Sequence, residues 1–210
     1  MSSRSRLYTG FLAVAFAVAG HAATILTLTP VTINHQYQQT TNSPCVIGDS
    51  SCQGSLPYTL LPPNVSSYDF TNATSPGYAP ATLMAIVGNS FAIGVDVNQT
   101  VANQTFSAFE MLVNGIVVSS YQGGTVEVPP TVGGGNGNGY ADYLLTGFVS
   151  LAGLNANDVI TFRTAMPLVN DGREEFFLLQ GAAVPEPISV VLTGSGLLGL
   201  FLLRKRFANR

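Results

Sequence analysis

The sequence predicts an all-β body, an antiparallel β-sandwich or jelly-roll-like arrangement, between an N-terminal signal peptide and a single C-terminal transmembrane helix. Three observations predict it. Apolar and β-branched residues alternate with period two in several short runs, most clearly in Thr24–Asn34, TILTLTPVTIN, the pattern of half-buried strands. Asn114-Gly115 separates two apolar runs, and Asn-Gly suits the type I′ turn of a β-hairpin, which needs positive φ at both central residues. No stretch of the body holds a 3.6-residue apolar stripe for three turns, so no long amphipathic helix is expected.

The elements follow in chain order. Residues 1–22 read as a signal peptide: Arg4 and Arg6 precede the apolar run Leu7–Ala19, and Gly20-His21-Ala22 or the adjacent Ala23 supplies small residues for cleavage. The secreted body is then 23–183, one domain's worth of chain and enough to bury a core. Thr24–Asn34 is its first strand, with Pro30 placing it at an edge or breaking it. His35–Pro80 is polar and proline-rich, with short apolar pieces at Leu56–Leu61 and Tyr68–Thr71. Thr82–Val87 and Phe91–Val97 read as strands joined by the turn Gly88-Asn89-Ser90. Thr105–Val113 and Ile116–Tyr121 form the Asn-Gly hairpin, and Thr125–Val128 is a further short strand. Pro129–Gly139, PPTVGGGNGNG, reads as a loop. Tyr140–Leu151 and Val159–Thr164 flank Ala152–Asp158, and Glu175–Gln180 is the last strand. Several short strands with Gly, Asn and Pro turns define the sandwich class. No fixed-period repeat points to a solenoid or propeller.

Charge narrows the function classes. The body holds two cations, Arg163 and Arg173, and no lysine, against ten acids, a net charge of −8. The acids are Asp49, Asp69, Asp96, Glu110, Glu127, Asp142, Asp158, Asp171, Glu174 and Glu175. Nucleic-acid binding needs a basic surface to displace phosphate counterions, so nucleic acid is excluded as a partner. Cys45 and Cys52 are the only cysteines, with six residues between them. In an exported chain that pattern reads as a disulfide closing a small loop. Their spacing is not that of a CxxC redox pair, and with His35 the only body histidine a zinc site lacks ligands.

Catalytic and binding constellations are sparse. His35 with a serine and an acid is the only triad material, and no G-x-S-x-G elbow accompanies it. Glu110 with Glu127, or Glu174 with Glu175, are the carboxylate pairs a glycosidase would need. Adjacent Glu174 and Glu175 would point to opposite faces of a strand, which argues against a shared site. Tyr37, Tyr58, Tyr68, Tyr78, Tyr121, Tyr140 and Tyr143 are the candidates for stacking on sugar rings. Asp96 with Asn98, Asn155–Asp158 and Asn170-Asp171 are oxygen-rich turns of a kind that can hold calcium, and turn-forming Asn and Asp explain them without a metal. Four Asn-x-Ser/Thr triplets, at Asn64, Asn72, Asn98 and Asn103, match the N-glycosylation pattern. The expectation is a non-enzyme with no cofactor, calcium being the one ion to keep in view.

The tail, 184–210, carries the most information. Pro185-Glu186-Pro187 precedes the uncharged run Ile188–Leu203, and Arg204-Lys205-Arg206 begins the basic segment 204–210. As a helix the 16-residue span would cover about 24 Å, short against a hydrocarbon core of roughly 30 Å. Pro187 fits a first helical turn, and the basic stop holds that end on the cytoplasmic side. In this order the three parts resemble the PEP-CTERM sorting signal of Gram-negative bacteria. The resemblance covers only the tail. It implies processing by exosortase, a membrane protease-transpeptidase. It implies export through the inner membrane to the cell surface or beyond, with transient anchoring by the C-terminal helix, in a biofilm- or floc-forming, exopolysaccharide-producing cell. Exopolysaccharide is then the expected partner of a non-enzymatic surface or matrix protein. The rival readings are a carbohydrate-binding module and a secreted, carboxylate-based hydrolase.

Overall fold

The computed structural model describes residues 23–31, 37–63, 65–97, 104–128, 139–167, 169 and 172–181. The signal segment 1–22, the sorting motif Pro185-Glu186-Pro187, the span 188–203 and the basic stop Arg204-Lys205-Arg206 lie outside them. Among the described residues no helix is long and apolar enough to cross a membrane.

The strands are β1 Thr24–Pro30, β2 Cys45–Gly48, β3 Thr59–Leu60, β4 Phe91–Asp96, β5 Gln104–Phe106, β6 Ala108–Val113, β7 Ile116–Tyr121, β8 Val126–Val128, β9 Tyr143–Thr146, β10 Ile160–Ala165 and β11 Glu175–Gln180. Helix α1, Pro80–Val87, precedes β4, and a 3-10 turn, Leu151–Gly153, precedes β10. Nine strands join in the order β10-β6-β7-β1-β9-β4-β11-β2-β3, while β5 and β8 pair separately.

The body is mostly β, as expected, but the sheet is mixed rather than purely antiparallel. Thr24–Leu26 of β1 run parallel to β7, whereas Thr27–Pro30 pair antiparallel with β9. The pair β2–β3 is also parallel. Parallel neighbours need a long crossover, here the chain between β1 and β7. A local alternation pattern carries no record of such a return. Pro30 does end its strand, yet β1 lies inside the sheet and not at an edge.

The sheet curls until its halves face each other. Phe109 of β6 meets Phe176 of β11 with ring centroids 5.5 Å apart, and Phe91 of β4 meets Phe162 of β10 at 5.9 Å. Leu26, Ile93, Met111 and Leu145 fill the same buried core. The segment around Tyr68–Tyr78 then joins the two sheet edges. Thr74 and Tyr78 bridge Arg163 and Ile160 of β10, and Tyr68 bridges Met166 just past its end. On the other side, the Thr59 hydroxyl donates to the Thr74 carbonyl at 2.6 Å and the Tyr78 hydroxyl to the Pro57 carbonyl at 2.8 Å. The β10 edge is thereby covered by backbone bridges, which hinders strand addition from another chain there.

Three local readings are corrected. Thr82–Val87 is part of α1 and not a strand. Pro80 opens the helix, Gly88 closes it with φ 75° and an N–H donated to the Met84 carbonyl, and Pro80, Leu83 and Val87 are its buried residues. Proline at the start and glycine past the end is the helix signature; the β-branched Ile86-Val87 obscured it. Tyr140–Leu151 is strand only over Tyr143–Thr146. The Asn-Gly turn is as expected, with Asn114 at φ 52° and Gly115 at φ 79°, but the first arm expected over Thr105–Val113 is broken at Ser107: β6 alone pairs with β7, and β5 pairs with β8. The last strand has the predicted bounds.

Strands β4 and β11 are buried on both faces. Phe91, Ile93, Val95, Phe176 and Leu178 face the main core. Ala92, Phe177 and Leu179 enter a second, smaller core with Cys45 and Ala141, against which Tyr37, Cys52, Tyr58 and Leu144 pack. The chain around 37–58 therefore forms a cover over the outer face of the central strands. Gln39 helps to hold it, its Nε2 donating to the Gln53 carbonyl at 2.9 Å and the Ser43 carbonyl at 3.3 Å.

Candidate functional site: a buried acidic end

Cys45 ends up bonded to Cys52, with Cα atoms 5.8 Å apart. Cys45 opens β2, and the chain leaves β2 at Gly48 into the loop of Asp49, Ser50 and Ser51. A Cβ at Gly48 would collide with the Cys52 sulfur, so glycine makes room for the bridge. The staple fixes this loop against the first residue of β11.

Four carboxylates are buried there. Asp96, Asp142, Glu174 and Glu175 expose 2, 6, 0 and 0 % of their surface. Carboxylates are seldom so buried unless paired. Asp96 ends β4 and is the register partner of Glu175, which opens β11. Asp142, just before β9, accepts the Val97 N–H on Oδ2 at 2.8 Å and donates its own N–H to the Val95 carbonyl. The loop after β2 adds Asp49, which accepts the Ser51 N–H at 2.5 Å. The Ser51 hydroxyl in turn donates to Glu175 Oε1 at 2.5 Å. One serine thus holds two carboxyl groups. Glu175 Oε2 is buried with no hydrogen-bond partner.

The electrostatics follow from burial. Desolvation pushes the Asp96 carboxyl up to about 8; the Gly139 N–H opposes this, and the charges of Asp142, Glu175 and Glu174 add to it. Glu175 is pushed up to about 7, first by burial, with Ser51 opposing and the contact and charge of Asp49 reinforcing. Tyr68, on the edge-covering segment, is raised to about 12 by burial and by Glu174, with Arg173 opposing. Arg173 is the cation of this end, and its Nε is buried without a hydrogen-bond partner.

This gathering differs from the sequence expectation. Glu174 and Glu175 were expected on opposite faces without a shared site. Both are buried at the same end of the sheet, and both act on Asp96, because the cover makes the outer face of β11 as buried as the inner one. Glu110 instead pairs with Arg163 across β6–β10 at 2.5 Å, and Arg163 lies over the Phe70 ring at 4.2 Å. Neither the Glu127 side chain nor His35 falls within the described residues. Asp158 is engaged in turn chemistry, accepting from Asn155 N–H at 2.7 Å and from Asn114 Nδ2 at 2.8 Å. Asn98, Asn170 and Asp171 lie outside the described residues. Of the tyrosines, Tyr68, Tyr78 and Tyr143 are core residues; Tyr37, Tyr58, Tyr121 and Tyr140 are half-buried.

As to metal chemistry, the two cysteine sulfurs and a Glu175 oxygen form the one potential ligand trio within 4.8 Å among the described residues. The disulfide ties up both sulfurs, leaving oxygen donors alone. No protein-family model matches this sequence, no curated protein matches it, and no solved structure matches its fold. Fold and site together define a disulfide-stapled, curled mixed-sheet protein with a buried acidic end.

Proposed function

We propose that this chain is an exported, non-enzymatic protein of the cell surface or extracellular matrix. It is delivered by its signal peptide and sorted by a PEP-CTERM tail that exosortase processes. The observation that carries the reading is the order of parts in the tail: Pro185-Glu186-Pro187, an uncharged run over 188–203, then Arg204-Lys205-Arg206. The Cys45–Cys52 disulfide supports an oxidising destination. The absence of lysine from 23–183 and a net charge of −8 there suit hydrated contact with neutral polymer, exopolysaccharide being the natural candidate. The non-enzymatic reading is supported by the burial of Asp96, Glu174 and Glu175, each at most 2 % exposed, because a catalytic carboxylate must reach its substrate.

Intact-mass measurement on protein recovered from outside the native host's inner membrane tests the tail. Loss of the segment from about Pro185 onward is expected; a full-length C-terminus on the exported protein refutes the processing. Deleting the gene is expected to alter floc, biofilm or surface properties without removing an extracellular hydrolytic activity.

A further inference from the structure

We propose that the buried acidic end holds a calcium ion between Glu175 and Asp49. Glu175 Oε2 carries the argument: it is enclosed, it meets no donor, and its residue is 0 % exposed. The Asp49 carboxyl is its neighbour, and Ser51 grips both groups from one side.

The surrounding charge favours a cation. Asp96 from β4, Asp142 ahead of β9 and Glu174 beside Glu175 are all acids, and among the described residues Arg173 is the single cation at that end. The donors are oxygens only, since both sulfurs are in the disulfide. That selects a hard ion over zinc. An irregular loop facing a strand end suits the flexible shell of calcium better than the strict octahedron of magnesium. Two carboxylates supply only part of the six to eight oxygens calcium takes, so the affinity belongs in the range of about 10⁻⁴–10⁻³ M found for extracellular modules. The staple has a role in this. Asp49 lies between Cys45 and Cys52, so the bridge sets its reach to β11. The inference does not depend on the tail or on how the chain is exported.

The test uses the full-length, oxidised protein in detergent at pH 8, melted in EDTA, in 5 mM CaCl₂ and in 5 mM MgCl₂. Calcium is expected to raise Tm by about 3–6 °C over EDTA, and magnesium by much less. Glu175→Gln is expected to abolish the shift. Asp49→Asn, on the half-buried loop, is expected to cut it by at least half and carries the test should Glu175→Gln not fold. No calcium shift in the parent protein overturns the proposal. A shift that survives in both variants places the ion elsewhere and equally overturns it. Equal shifts with magnesium overturn the assignment to calcium.

Discussion

Replacing Asp96 by Asn should make this protein more stable at neutral pH and flatten its response to pH. The Asp96 carboxyl is raised from 3.8 in the unfolded chain to about 8 in the folded one, chiefly by burial. The folded state therefore keeps a proton that the unfolded state releases. The stability this group permits is fully present below pH 4 and is lost as pH climbs through the interval from 4 to 8. With those two values, linkage puts the loss at about 4 kcal/mol by pH 7. Glu175, raised from 4.5 to about 7, adds a loss of the same sign between about pH 4.5 and 7. Asparagine is nearly isosteric, does not titrate, and can still accept the Gly139 N–H through its amide oxygen. The assay is urea denaturation at pH 4, 5.5, 7 and 8, with EDTA present so that no divalent cation intervenes. The parent protein should lose stability steadily with pH. The variant should lose about 4 kcal/mol less between pH 4 and 7. Parallel profiles, with a constant offset between the two proteins, would refute the reasoning, because they would mean that Asp96 is ionised in the fold throughout.

Further outcomes follow from other parts of the molecule. Replacing Cys45 and Cys52 together by serine should lower stability by about 2–3 kcal/mol, the loop-closure value for so short a ring, read as a lower urea midpoint that reductant no longer changes. Phe109→Ala, which removes a fully buried ring in contact with Phe148, Phe162 and Phe176, should cost about 3–5 kcal/mol; a loss below 1 kcal/mol would contradict the face-to-face core. Asn114→Ala should cost about 1–3 kcal/mol, since Asn114 has φ 52° and its side chain donates to Asp158 and accepts the Val159 N–H. The measurement is thermal unfolding, and an unchanged Tm would dismiss that role.

What was legible in the sequence was what depends on neighbours along the chain. Asn114-Gly115 specified its turn, because only positive φ at both residues closes that hairpin. Glu175–Gln180 was found with its exact bounds, because a solid apolar run between polar flanks needs no partner to be read. The helix at Pro80–Val87 was missed although its Pro-in, Gly-out punctuation was present; two turns of helix give too few repeats to outvote Ile86 and Val87. The parallel contact of β1 with β7 was not readable at all. It depends on where a chain returns after nearly a hundred residues. The acidic end was missed for the same reason. Asp49, Asp96, Asp142 and Glu175 sit at the ends of four separate elements, and each looks locally like a solvated turn residue. The one trace they left is positional: FAIGVD ends on an acid and EFFLLQ begins on one, as antiparallel neighbours would if they shared an end.

The acidity of this end and its proposed cation make separable claims on the same residues. In EDTA, rising pH removes protons from Asp96 and Glu175 and weakens the fold. With calcium present, the ionised Glu175 is the form that binds, so stability recovered by the ion should grow over the pH range where the EDTA profile falls. Asp96 accepts the Gly139 N–H and is not among the proposed ligands. Asp96→Asn should therefore flatten the EDTA profile and keep the calcium shift, whereas Glu175→Gln should reduce the fall between about pH 4.5 and 7 and lose the shift. Crossing the two variants with the two conditions distinguishes a proton trap from a calcium site. An Asp96→Asn protein that loses the calcium shift as fully as Glu175→Gln would mean that the ion engages both strands, and the division of roles between Asp96 and Glu175 would then be wrong.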